Sequence, residues 1–323
     1  MTRFSRRWRS PLKGMAKPTK TFTRDLQRLH TERANDSASD LDCKSSLEIA
    51  RLMNAEDAKV AGAVARALPQ IARAIDLSVA ALRKGGRLMY VGAGTSGRLA
   101  ALDASECRPT FNTDRVQFII AGGVKALGTE SEISEDDEKL GREEMRRRKP
   151  GKNDVVIGIA SSGRTPFTVA ALEAARGRGA QTIGLTCNRN TPLEAAANFA
   201  IVTEVGPEVL AGSSRLKAAT AHKMVLNTIS TGAMSRLGYV YGNLMVSVVP
   251  KNQKLRQRAV VILERAAGVD CETARGALEA SGCRTPVALV MLAAGVPRKK
   301  AIEALKRSSG NVREAIAIGA QKA

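Results

Sequence analysis

Two kinds of apolar pattern run along the chain, and the change of period divides it. Residues 46–83 carry apolar positions at helical spacing: Leu47, Ile49, Leu52 and Met53 form one stripe, and a longer one runs from Val60 to Leu82. From residue 87 the pattern becomes short, near-continuous apolar runs, at 87–91, 116–121, 154–160, 181–187 and 199–202. Segments compatible with helix separate most of them. Apolar strands alternating with helices predict an α/β fold: five parallel strands spanning about 85–205, covered by helices on both faces. A long helix is expected from 214 to 237, with Leu216, Ala219, Met224, Val225 and Ile229 on its apolar side. Residues 242–250 read as a further extended piece. Beyond that, helices are predicted at 255–267, 271–281, 286–294, 298–308 and 312–319, broken by Gly268, Gly282, Gly295 and Gly310. The layout is therefore a basic arm (1–28), an α/β domain with N-terminal helices (29–250) and a small all-α bundle (251–323).

Charge refines this picture. The 323 residues carry a net +20, but residues 1–24 hold eight Lys and Arg with no acid, and the bundle holds a similar excess. The sheet region is nearly balanced, which argues against a nucleic-acid grip. Aromatics are 3% with one Trp, too few for base-stacking platforms. No apolar run approaches the roughly 20 residues that cross a bilayer, so no membrane role is expected. Arg6 and Arg7 suggest an export signal only superficially, because no apolar stretch follows. The arm reads as disordered, and Met15 is an alternative start. The five Cys are scattered at 43, 107, 187, 271 and 283, and there are two His. That pattern predicts no metal site and reduced thiols in a cytoplasm.

The candidate chemistry sits where strands end. The first run closes in a G-x-G-x-x-G string from Gly92 to Gly97, at a strand-to-helix junction. The dinucleotide fingerprint also needs an acid after the second strand, and none occurs between Ala121 and Glu130. No Lys precedes a Ser or Thr, so it is not a Walker loop. Gly94, Thr95 and Ser96 instead offer hydroxyls and helix-start N–H groups to one phosphate. After the third strand, Ser161, Ser162 and Thr165 repeat that chemistry. Two hydroxyl-rich loops on one rim point to a small phosphorylated, polyhydroxylated ligand; each alone also fits a tight turn capping a helix. Ser213, Arg215 and Lys217, opening the long helix, are a third anion-binding candidate, and an ordinary capped helix start explains them equally.

Carboxylates supply acid–base chemistry. Glu106 lies near the end of the first crossover helix. Glu132 and Glu135 lie within a run of six acids from Glu130 to Glu138. Such a run fits a solvated surface, but i,i+3 spacing also lets both share one helical face.

Taken together, 91–99, 102–107, 121–123, Glu132 with Glu135 and Asp136, 158–166, 212–220 and 242–245 closely resemble the signature of the N-acetylmuramic acid 6-phosphate etherases, with Thr31, Glu32 and Asn35 agreeing upstream. The resemblance spans about 29–320. It implies a sugar-isomerase (SIS) domain of flavodoxin-like type and a C-terminal bundle resembling ubiquitin-associated domains. It also implies a cytoplasmic homodimer, without cofactor or metal, acting in peptidoglycan recycling. The implied reaction cleaves the D-lactyl ether of N-acetylmuramate 6-phosphate with water. By motif position the proton donor falls on Glu106 and the second carboxylate on Glu135. Arg108 stands where the family usually has Pro, and Ser161 where Ala is usual. A non-catalytic phosphosugar-sensing regulator and a phosphosugar isomerase are the alternatives. The first has no need of Glu106 and Glu135; the second is separated by its products.

Overall fold

The computed structural model describes residues 29–129 and 132–321, with the backbone alone for Glu132 and Ile133. The basic arm 1–28, Glu130 and the side chain of Glu132 lie outside the described residues. The described residues open with short 3-10 turns at His30–Glu32, Asp36–Ala38 and Leu41–Cys43. Helices α1 (Ser46–Arg66) and α2 (Leu68–Arg83) follow. Ser45 caps α1 through a reciprocal pair with Glu48, satisfying N–H groups that a helix start leaves open. Pro69 sits in the first turn of α2, where its missing N–H costs nothing.

The sheet then alternates with helices: β1 (Leu88–Gly92), α3 (Gly94–Phe111), β2 (Val116–Ile120), α4 (Glu132–Glu135), α5 (Glu138–Arg148), β3 (Val155–Ile159), α6 (Pro166–Gly177), β4 (Gln181–Thr186), α7 (Pro192–Ala196) and β5 (Phe199–Val202). All five strands are parallel, in the order β2-β1-β3-β4-β5. This is the doubly wound arrangement expected from the runs, with the sheet order of flavodoxin-like folds. Burial on both faces explains why the strands read as continuous apolar runs. Leu88 and Tyr90 pack with Ile157 against α1, α2, α3 and the long helix α8 (Lys217–Arg236). Met89, Val91 and Val156 pack on the other face with Met145, Phe167 and Leu172. Successive side chains alternate faces, so β1, β2 and β3 each serve two cores.

Residues 242–250 form no strand. A single antiparallel bridge joins Tyr241 and Leu244, and Val246 and Val248 are buried in the helical core that follows. That core is built by α9 (Gln253–Ala267), α10 (Cys271–Ala280), α11 (Thr285–Ala294), α12 (Arg298–Arg307) and α13 (Val312–Ala320). Gly268 and Gly295 close α9 and α11 in the left-handed conformation that favours glycine. Among the described residues no single helix is long and apolar enough to cross a membrane.

Candidate active site

The switch point of this sheet lies between β1 and β3, whose following helices run on opposite faces. A cleft of about 340 Å³ opens there, at the carboxyl ends of the strands. Its floor is the turn from β1 into α3. Gly97 lets that helix start lie against the sheet: a Cβ there would stand 2.5 Å from Ile120 Cγ1 and 2.8 Å from the Gly92 carbonyl oxygen. The early N–H groups of α3 consequently face the cleft, beside Thr95 and Ser96. The opposite wall is the β3–α6 loop, with Ser161, Ser162 and Thr165.

Glu135 reaches this cleft from α4. Its carboxylate lies over the phosphate-type cradle, so close to Gly94 that a Cβ on that residue would sit 2.5 Å from Glu135 Oε1. Gly94 has φ +50, so glycine is needed here both for the backbone turn and for the carboxylate's approach. A carboxylate and a ring of hydroxyls around a helix start can hold a phosphosugar and move a proton on it.

Of the residues singled out in the sequence, the cleft gathers Gly94, Thr95, Ser96, Ser161, Ser162, Thr165 and Glu135. Four lie elsewhere. Lys217 is buried: its ammonium pairs with Glu56 of α1 and donates to the Pro207 carbonyl oxygen at 2.6 Å. It ties α8 to α1 rather than facing an anion from the cleft. Burial raises the Glu56 carboxyl, but the Lys217 and Lys59 ammonium groups outweigh it and hold the acid below its ordinary value. The Lys217 and Ala218 N–H groups donate to buried Glu208, at 3.1 and 2.9 Å. Arg215 is exposed and Ser213 half-buried, neither in the cleft lining; Ser214 takes that place. Glu106 is exposed on α3, twelve residues after Gly94, which is about 18 Å along the helix axis. Arg98, Thr31 and Glu32 line the cleft and were not singled out as site residues. The agreement of Thr31, Glu32 and Asn35 with the family pattern was the available signal for the last two.

The SIS domain family matches residues 145–231, and the glucokinase regulatory protein N-terminal SIS domain family matches residues 70–176. An N-acetylmuramic acid 6-phosphate etherase of Bacillus licheniformis is 46% identical over 295 residues, covering 91% of this chain and 97% of that one. Another, of Symbiobacterium thermophilum, is 52% identical over 275 residues, covering 84% and 91%. The chain belongs to the N-acetylmuramic acid 6-phosphate etherase family. Among solved structures, a phosphoheptose isomerase from Francisella tularensis is similar over 59% of this chain and 100% of that one, with a TM-score of 0.48 and 18% identity. Apart from Thr31 and Glu32, the cleft residues of this etherase-family chain lie in the part matched as SIS domain, and within the described residues no cluster of His, Cys, Asp or Glu is placed to hold a metal ion.

Proposed function

We propose that this chain cleaves the D-lactyl ether of N-acetylmuramate 6-phosphate with water, releasing D-lactate and N-acetylglucosamine 6-phosphate, in the cytoplasm during peptidoglycan recycling. The observation that carries the reading is the Glu135 carboxylate held against Gly94 above a hydroxyl-lined helix start, in a chain 46% identical to an etherase along almost its whole length.

An alkoxide is a poor leaving group, so the ether is not displaced directly. In the open-chain sugar the C1 carbonyl acidifies the C2 proton. Glu135 takes that proton, the C2–H electron pair forms the C2–C3 double bond, and the C3–O bond breaks. An acid protonates the departing oxygen, freeing D-lactate. Water then adds at C3, giving its proton to the same group, while C2 regains a proton. This needs one carboxylate acting as base and one carboxyl acting as acid. Thr95, Ser96, Ser161, Ser162 and Thr165 anchor the phosphate and hold C2 and C3 in place.

The acid is Glu106, contributed by a second copy. It stands with exposed Leu102 on the outer stripe of α3, too far along that helix to serve its own cleft. A homodimer packed through this stripe brings it to the partner's site. Three measurements test the reading. Wild-type protein with N-acetylmuramate 6-phosphate should release D-lactate; an aldose–ketose mixture would mean an isomerase instead. Glu106→Gln and Glu135→Gln should each lose at least about 10² in turnover. Dissociated, mixed and reassociated, they should recover about a quarter of wild-type activity, since half the dimers are mixed and each holds one complete site. No recovery would place both carboxylates in one chain's site.

A further inference from the structure

The segment before α1 is fastened to the loops that build the cleft. Thr31 is fully buried and Leu29 nearly so. Asn188, just past β4, accepts from the His30 N–H at 2.8 Å. Its amide donates to Thr31 Oγ1 at 3.1 Å and to the Ser161 carbonyl oxygen at 2.9 Å. Asn35 donates to the Pro207 carbonyl oxygen at 3.3 Å. One asparagine therefore sets the height of the β3–α6 loop and of the 30–35 segment together. The segment thereby delivers Glu32 to the cleft wall opposite α3. The loop before α8 makes room for it: Glu32 Oε2 lies 3.3 Å from the point where a Cβ on Gly212 would stand.

Glu32, Glu135 and Arg98 are the charged side chains among the described cleft lining. Arg98 is already engaged, donating to the Leu127 and Thr129 carbonyl oxygens at 3.3 and 2.8 Å. A second carboxylate repels a phosphate and a lactyl carboxylate alike. It must therefore meet the neutral, hydrogen-donating part of a phosphosugar. We propose that Glu32 is a substrate-binding, specificity-determining residue of this cleft, whose carboxylate accepts hydrogen bonds from sugar hydroxyl groups while the hydroxyl-lined helix start takes the phosphate. The idea rests on the phosphosugar reading of the cleft. Burial raises the Glu32 carboxyl above its ordinary value, and sugar donors favour its ionised form, so ligand binding and charge support each other. Glu32 is a binding group here, distinct from Glu135, which moves the C2 proton.

The test is calorimetric binding of N-acetylglucosamine 6-phosphate and, separately, of inorganic phosphate, to wild type, Glu32→Gln and Glu32→Ala. Glu32→Ala should weaken phosphosugar binding about 10–100-fold, the loss of a charge-assisted hydrogen bond. Phosphate binding should stay within about twofold, because no phosphate contact is lost. Glu32→Gln, which keeps an uncharged acceptor, should fall between. Unchanged phosphosugar binding in Glu32→Ala would overturn the proposal. So would parallel loss of phosphate binding, which would make Glu32 a support of the loop instead. A D-lactate assay on the same three proteins keeps the two ideas apart. Wild type that binds the phosphosugar through Glu32 without releasing lactate would sink the proposed reaction and leave Glu32 in place. A fall in kcat of about 10² or more with KM unchanged in Glu32→Gln would make it an acid–base group and overturn its assignment to binding.

Discussion

Gly94→Ala puts the site geometry to a quantitative test. The residue has φ +50, where an alanine costs about 1–2 kcal/mol relative to glycine. For a protein of this size that lowers Tm by roughly 2–8 °C, which leaves it folded at room temperature. The new methyl would stand 2.5 Å from Glu135 Oε1, against an ordinary carbon–oxygen contact of about 3.4 Å. The carboxylate must therefore retreat by about 1 Å. A displacement of that size at a reacting group reduces turnover about 10²-fold. The Ser96, Ser161 and Ser162 hydroxyls are not within 4 Å of the methyl, so KM should move far less than kcat. The assay is steady-state D-lactate release below the variant's melting range, with circular dichroism confirming the fold. A kcat within about threefold of wild type in a folded variant would refute the claim that this glycine aims Glu135 at the reacting carbon.

Two further outcomes concern stability. Lys217→Met strands the buried Glu56 carboxylate with the exposed Lys59, and urea unfolding should show a loss of about 3 kcal/mol, largely recovered in Lys217→Met/Glu56→Leu; loss of turnover without loss of stability would return Lys217 to a ligand-binding role. His222 is fully buried, 3.5 Å from Cys187 Sγ, and its Nδ1 meets no partner among the described residues. Burial lowers its pKa from 6.5 to about 4. The unfolded chain takes up this proton near pH 6.5 and the folded one only near pH 4, so the stabilisation present above pH 6.5 is lost as pH falls between the two, by about 3 kcal/mol. Urea midpoints across that range should fall less steeply in His222→Gln than in wild type; equal slopes would show that His222 does not carry the acid sensitivity.

The sheet was legible because burial on both faces leaves a plain mark, five short apolar runs each closed by small or polar residues. The two hydroxyl loops were legible for a related reason: they follow directly on those runs. The long helix was harder. Its expected start is 214, while the regular helix begins at Lys217. Spacing along one helix does not show that Lys217 is buried against Glu56 of α1. Glu135 was hidden by its neighbours, since six acids in nine positions read as a solvated surface until the backbone brings one beside Gly94. Glu32 had no periodic signal, because a 3-10 turn far upstream is brought to the cleft by long-range contacts with Asn188 and Pro207. Residues 242–250 looked extended from their β-branched content, but Val246 and Val248 found their burial against helices, which needs no strand.

The central claim is elimination followed by hydration, and isotopic water tests it most directly. Reaction in heavy-oxygen water should place the label on C3 of N-acetylglucosamine 6-phosphate and leave D-lactate unlabelled. In deuterated water, C2 should acquire deuterium when the Glu135 carboxyl exchanges its proton with solvent before returning it. Heavy oxygen found in the lactate would mean direct attack of water on the lactyl carbon, and would contradict the roles given to both carboxylates.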